Sequence, residues 1–384
     1  MTSLRVGIIV PPMLPVPPVN YAGTERVVAH LVEELSDRGH QVTLFASGDS
    51  TANCEIIPIV PQSLWSTGYR GDVTSFISVG LAMAWREHRR FDVIHSHAEV
   101  PGFLFARHCP TPVVTTLHGR LDVSGIPQLM AEFTDIPLVA ISESQKRFLP
   151  DNNWVATVHH GLDLSNAPFS DKPGSYLAFV GRVTPEKGVA DAIELARRAG
   201  LQLKMVAKVY DAHEKQHFAE VVKPAIDEGI VQFFGELAPI ARDPILAGAR
   251  ATLMLGAWPE PFGLVAIESM ATGTPVIGRR AGALTETIEH GIDGFLVDDL
   301  DEALLALERL PTLDRSLIRS RALERFSRDR MVDEYEAVYY RLIAGERAAV
   351  DLPMVPTLPL APRPATRRIR DGGRLEVVAG SRGD

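Results

Sequence analysis

Cysteine is nearly missing: Cys54 and Cys109 are the two in 384 residues. They stand far apart with no partner at metal-binding spacing, so neither a disulfide framework nor a cysteine-built zinc site is available. Two buried thiols in a reducing compartment are expected instead. Long apolar runs are missing as well. No uninterrupted stretch approaches the ~18–20 residues that cross a bilayer, and the opening MTSLRVGIIV has too short an apolar run, too soon broken by prolines, for a secretion signal. Positive charge is scarce. The 39 Lys and Arg against 48 Asp and Glu leave a net charge of −9, which argues against a nucleic-acid binder because nothing offsets phosphate repulsion globally.

What is present is a 46% hydrophobic chain, long enough for two cored domains on a prior of roughly 150 residues each. Strand-length apolar runs occur at 4–10, 41–47, 92–95, 112–117, 137–141 and 154–158. Between the first two, Val27, Val28, Leu31, Val32 and Leu35 recur at helical spacing, with Thr24 as the expected N-cap and Gly39 as the stop. Runs at 176–180, 202–206, 230–234, 251–255, 275–277 and 294–297 repeat the scheme, with helices expected at 187–199, 213–225, 239–249, 264–272 and 300–309. Strands separated by helices imply parallel pairing and right-handed crossovers. The expectation is therefore an α/β protein of two Rossmann-like domains, 1–168 and 169–328, facing a central cleft. The break falls where Asn166, Pro168, Ser170, Pro173, Gly174 and Ser175 cluster. Helices should fill 312–345, ending in an amphipathic one over 329–346 that returns to the first domain. From 351 to 384 prolines and arginines replace aliphatic clusters, and a disordered tail is expected.

Two stretches carry chemistry. In WPEPFGLVAIESM, Glu260 precedes and Glu268 lies inside a helix opening near Gly263. The amides of Phe262, Gly263, Leu264 and Val265 then lie at the positive end of that helix, which suits a diphosphate. Glu268, further in, can accept two hydrogen bonds from a ribose diol. In GRVTPEKG, Arg182 and Lys187 flank a turn directly after a strand. Two cations at that edge suit a diphosphate leaving group and can stabilise its developing charge without a metal.

These two stretches, with YAGTE at 21–25, resemble the family 4 retaining glycosyltransferases of group 1, which have the GT-B fold. The resemblance spans about 4–345. It implies that Arg182 and Lys187 bind the diphosphate, that Glu260 contacts donor-sugar hydroxyls and that Glu268 holds the ribose. It also implies that His118 in TTLHG reaches the sugar, and that the glycine loop after the first strand corresponds to Ala22 and Gly23. The family pairs glycines where this chain has Ala22-Gly23 and Gly282-Ala283. Ala22 makes the first loop less permissive; Ala283 is expected to alter only a loop at the sugar's edge.

The implied activity is retaining, metal-independent transfer of a hexose from a nucleotide-sugar, UDP-sugar before GDP-mannose, to a hydroxyl acceptor. That acceptor would be a sugar, a small metabolite or a lipid-linked group, with Arg120 and Asp122 as its candidate contacts. The nucleotide-sugar is a substrate, and no cofactor is required. The sequence-level alternatives are a sugar-nucleotide epimerase on the same scaffold and a nucleotide-sugar binder without turnover. A rival metal site in VDDLD (297–301) is weaker, because Asp298 and Asp299 precede a helix and suit an N-cap. His95 and His97 alternate at strand spacing but lack a third ligand. The expected location is cytoplasmic. Attachment at the inner membrane face through Trp85, Arg86, Arg89 and Arg90 is the weakly supported variant.

Overall fold

The computed structural model describes residues 2–20, 22–345, 367–369 and 375–377. Among these, β1 (Arg5–Ile9), β2 (Gln41–Ser47), β3 (Glu55–Val60), β4 (Val93–Ser96), β5 (Val113–Thr116), β6 (Leu138–Ala140) and β7 (Trp154–Thr157) form one sheet. Its order is 3-2-1-4-5-6-7, and every pairing is parallel. A second parallel sheet contains β8 (Tyr176–Arg182), β9 (Gln202–Lys208), β10 (Val231–Phe233), β11 (Ala251–Met254), β12 (Val276–Arg279) and β13 (Gly294–Val297), in the order 10-9-8-11-12-13. Both sheets reverse direction of growth beside their first strand, between β1 and β4 and between β8 and β11. Such switch points open a crevice outside the carboxyl ends of the strands. The fold is the expected pair of Rossmann-like lobes.

Local pattern explains most elements. The first helix (Gly23–Asp37) buries Val27, Val28, Leu31, Val32 and Leu35 as one stripe, and Gly39 ends it at φ +86°. It begins one residue before the expected cap. Ala22 stands at the N-cap and Thr24 is already helical, so no side chain caps this end. β3 was not anticipated from the sequence. It is a sheet edge carrying Pro58, a residue tolerated there because an edge strand need not donate every N–H. The helix expected over 213–225 is broken into Ala212–His217, a π-turn at Phe218–Val222 and Lys223–Asp227. Pro224 has no N–H for a continuous ladder. The two cysteines are free and half-buried rather than buried.

The chain crosses between lobes twice, side by side. Leu162 exchanges backbone bonds with Phe326 and Arg328, so the outgoing linker lies against the returning chain. Arg315 pins the C-terminal side, donating to the carbonyls of Ser170, Ala247 and Ala249. The closing helix (Arg328–Ile343) then packs on the first helix and β4, burying Met331, Val332, Tyr335, Val338 and Tyr339. The expected disordered tail falls largely outside the described residues; within it, 367–369 and 375–377 pair as antiparallel strands.

Gly161 allows the crossing. A Cβ there would collide with the carbonyl oxygen of Ser327 and stand 2.8 Å from Met331 Cβ. Gly161→Ala should therefore lower stability by about 3 kcal/mol through overpacking against backbone. Denaturant melts would show it, and an unchanged midpoint would contradict this account of the crossing.

Candidate active site

The carboxyl ends of both sheets enclose a cavity of about 260 Å³. From the N-terminal lobe come Gly23 and Thr24 at the start of the first helix, His118 after β5, Ile141 after β6 and His160 beyond β7. From the C-terminal lobe come Arg182, Lys187, Lys208, Glu236, and Glu260 through Val265. The cavity thus collects Gly23, His118, Arg182, Lys187, Glu260, Phe262, Gly263, Leu264 and Val265 from positions up to 242 residues apart. Glu268, Arg120 and Asp122 do not line it.

The cleft helix (Leu264–Ala271) opens at this wall and is buried at all eight positions. By helix geometry its first amides point out along the axis, toward the cavity. The cations stand opposite. Arg182, half-exposed, donates through Nε to the buried Glu214 at 2.6 Å. Glu214 and Asp211 form a capping box at the helix Ala212–His217, which fixes that carboxylate. Lys187 Nζ lies 2.5 Å from Glu260 Oε1 and 4.4 Å from the Trp258 ring centroid. Trp258 Nε1 donates to the same carboxylate oxygen at 3.0 Å. Gly188 sets this loop: at φ +72° its hypothetical Cβ would lie 2.5 Å from the Leu255 carbonyl carbon, so only glycine lets Lys187 approach β11 so closely. Ala283 is fully buried, and its N–H donates to Glu260 O at 2.9 Å, so it supports the loop that carries Glu260.

His118 sits on a loop held by an acid. Glu99 Oε1 accepts from the amides of His118 at 3.3 Å and Gly119 at 3.0 Å, and Glu99 itself adopts φ +52°. His118 Nε2 meets His97 Nδ1 at 2.8 Å. Burial lowers the His118 pKa to about 4, so the ring is neutral. Behind it, His95 bridges Tyr339 at 2.7 Å and Thr116 at 2.7 Å. His95 thus has both ring nitrogens bonded within the core, while His97 bonds His118 through Nδ1 and its Nε2 has no partner among the described residues.

Arg120 and Asp122 satisfy each other in a bidentate pair at 2.8 and 2.6 Å, which lowers the Asp122 pKa. Arg120 also stacks 4.8 Å from the Trp258 centroid, so one indole carries a cation from each lobe. Asp299 caps the helix Leu300–Arg309 by accepting from Glu302 N, and Asp298 pairs with Arg280. Among the described residues no three His, Cys, Asp or Glu side chains gather at metal-holding distance.

Glu268 lies one turn beyond Leu264 and faces a second pocket, of about 730 Å³, shared with Asn20, Arg26, His30, Arg242 and Asp243. It is 3% exposed. Its Oε1 receives Arg242 at 2.9 Å and also Arg26, which reaches across from the first helix. Burial alone would raise its pKa, but the two guanidiniums outweigh burial and hold the carboxyl below its ordinary range. Its Oε2 is buried with no hydrogen-bond partner among the described residues.

The model described as Glycosyltransferase Family 4 matches residues 21–166, and that described as Glycosyl transferases group 1 matches 163–314. The chain belongs to the group 1 glycosyltransferases. It is an enzyme of sugar transfer on the GT-B fold. The D-inositol 3-phosphate glycosyltransferase of Mycolicibacterium smegmatis is 26% identical, over 91% of this chain and 90% of its own length. The N-acetyl-α-D-glucosaminyl L-malate synthase of Bacillus anthracis is 23% identical, over 90% and 99%. Among solved structures, HepE of Anabaena in complex with UDP and glucose superposes with TM-score 0.68 at 18% identity, covering 88% of this chain and 99% of its own.

Several residues of this glycosyltransferase's cleft escaped sequence reasoning. His160, Lys208 and Glu236 stand outside both motifs, and Trp258, which opens WPEPFG, was given no role. Glu99 would have needed its backbone conformation, and the Arg26–Glu268 contact joins residues on different lobes. Within the described residues no helix is long and apolar enough to cross a membrane. Of the basic cluster proposed for lipid, Arg90 is engaged by Glu55 and Glu87.

The Glu268 cluster makes a prediction about stability. Glu268→Gln should destabilise the ligand-free chain on the order of 3 kcal/mol, because Arg26 and Arg242 lose a buried counter-charge. With the folded pKa depressed, the carboxylate's contribution is complete above its unfolded value and erodes as pH falls through the folded one. The stability gap between wild type and variant should therefore close in acid; a gap of the same size at every pH would contradict it.

Proposed function

We propose that this glycosyltransferase is retaining and metal-independent, and that it transfers a hexose from a nucleotide-sugar to a hydroxyl acceptor, with a UDP-sugar favoured over GDP-mannose. The observation that carries this reading is the convergence on one cavity of Arg182, Lys187 and the start of the cleft helix. A diphosphate between them meets two cations and a helix dipole, the charges that stabilise it as it leaves. Glu260, at the same wall, serves the sugar's hydroxyls, and Glu268 serves the ribose through its unpartnered Oε2. UDP in HepE, a neighbour in fold, supports the choice of base. The two curated relatives carry inositol phosphate and L-malate in their names, which supports a small hydroxylated acceptor.

In the step itself, the bond from the anomeric carbon to the β-phosphate oxygen breaks, and its electron pair stays on that oxygen. The acceptor oxygen bonds the anomeric carbon from the same face, and its proton passes to the departing phosphate oxygen. Retention by double displacement would need a free carboxylate on the far face. Glu260 is instead engaged by Lys187 and Trp258, an arrangement that suits a hydroxyl acceptor rather than a nucleophile. Catalysis is then positioning of two substrates plus stabilisation of the leaving group.

Replacing Arg182 and Lys187 together with alanine should weaken UDP binding by about 2–4 kcal/mol if both bond it as charged groups. Calorimetry on the folded variant measures this, and unchanged affinity removes the assignment. Release of UDP from a UDP-sugar in the presence of acceptor should persist in excess chelator. Loss of turnover restored by Mg²⁺ or Mn²⁺ would overturn metal independence, and binding without turnover with any acceptor would make the chain a binder.

A further inference from the structure

We propose that His160 is a second sugar-reading residue, paired with His118, which hydrogen-bonds a hydroxyl of the transferred sugar on the side facing the N-terminal lobe. The inference rests on the functional reading above and extends it to a residue that neither motif contains.

The two imidazoles form one wall of the cavity. Their rings stack with centroids 5.2 Å apart and planes 23° from parallel. His160 is 4% exposed, yet its Nδ1 has no hydrogen-bond partner among the described residues; nor does Nδ1 of His118. A buried polar nitrogen left unmade is costly unless something fills the role. The two stacked rings that carry these nitrogens both line the space where a sugar would sit, and together they form a two-point reader. Its partner should be uncharged. Burial first, and then the neighbouring His118, His159 and Arg330, push the His160 pKa well below its ordinary value. A neutral imidazole suits a hydroxyl, whereas the diphosphate has Arg182 and Lys187.

His160 is held in place from both sides. Arg330 of the closing helix donates to the carbonyls of His159 and His160, the former at 2.6 Å. Phe262, at the threshold of the cleft helix, meets the His160 ring edge-on at 4.8 Å. The ring is thus fixed between His118 and the residue that precedes the diphosphate-binding turn, which puts it beside the junction of sugar and phosphate. Packing alone would be met equally well by an aromatic ring without nitrogens, and that difference can be measured.

Wild type, His160→Phe and His160→Asn are titrated calorimetrically with UDP, UDP-glucose, UDP-galactose and UDP-xylose, and with GDP and GDP-mannose. The phenylalanine variant keeps the ring and its contacts. It should bind the nucleoside diphosphate within about twofold of wild type but lose tenfold or more of the extra affinity conferred by the preferred sugar, and with it the discrimination among sugars. Asparagine, which keeps a donor and an acceptor, should recover part of both. A folded His160→Phe that retains wild-type discrimination, or one that loses UDP and UDP-sugar affinity equally, overturns the inference alone. A wild type that binds none of these ligands overturns the functional reading and the inference together.

Discussion

A helix buried along its whole length must still find partners for its first amides, and the cleft helix begins at a cavity between the lobes. Water or an anion must meet those groups. The sequence around the helix serves that constraint. Arg182 and Lys187 bring charge of the sign an anion needs, and Gly188 lets their loop close against β11. Ala283 fixes the backbone of Glu260, and Ser142 Oγ donates to Pro261 O at 2.8 Å, tying the loop before the helix to the other lobe.

The same helix couples the lobes. One turn in, Glu268 takes Arg242 from its own lobe and Arg26 from the other. A second link between lobes is Glu286, which accepts from the amides of Glu143 and Ser144 and from His159. A ribose diol taken by Oε2 of Glu268 would share that carboxylate with Arg26 on Oε1, so binding of the nucleoside and the relation between lobes draw on one group. The histidine column adds a further link. His118 bonds His97, His97 packs at a tilt against His95, and His95 packs at a tilt against Tyr335 and bonds Tyr339 of the closing helix. The closing helix therefore supports the floor of the site.

The fold was legible because both sheets are parallel and buried, so their strands are continuous apolar runs. QVTLFAS and GFLV carry their boundaries in plain view, while β3 hides behind Pro58 and a half-exposed edge. The residues gathered around the cavity were legible where local order determines function: a loop carboxylate, a glycine, a helix start. What escaped was three-dimensional. That Glu268 turns away from the main cavity follows from helix phase and from Arg26 on another lobe. That Arg120 and Asp122 neutralise each other follows from a turn two residues wide. His160 has no motif, since its significance comes from stacking on a residue 42 positions earlier.

The central claim, that a diphosphate sits between the cleft-helix start and the cationic loop, is tested most directly by amide hydrogen exchange with and without UDP. The account predicts slowed exchange at 263–266 and 181–188, with 297–301 unchanged. Protection confined to 297–301, or to the second pocket around Asn20 and Asn53 with 263–266 unaltered, would contradict it.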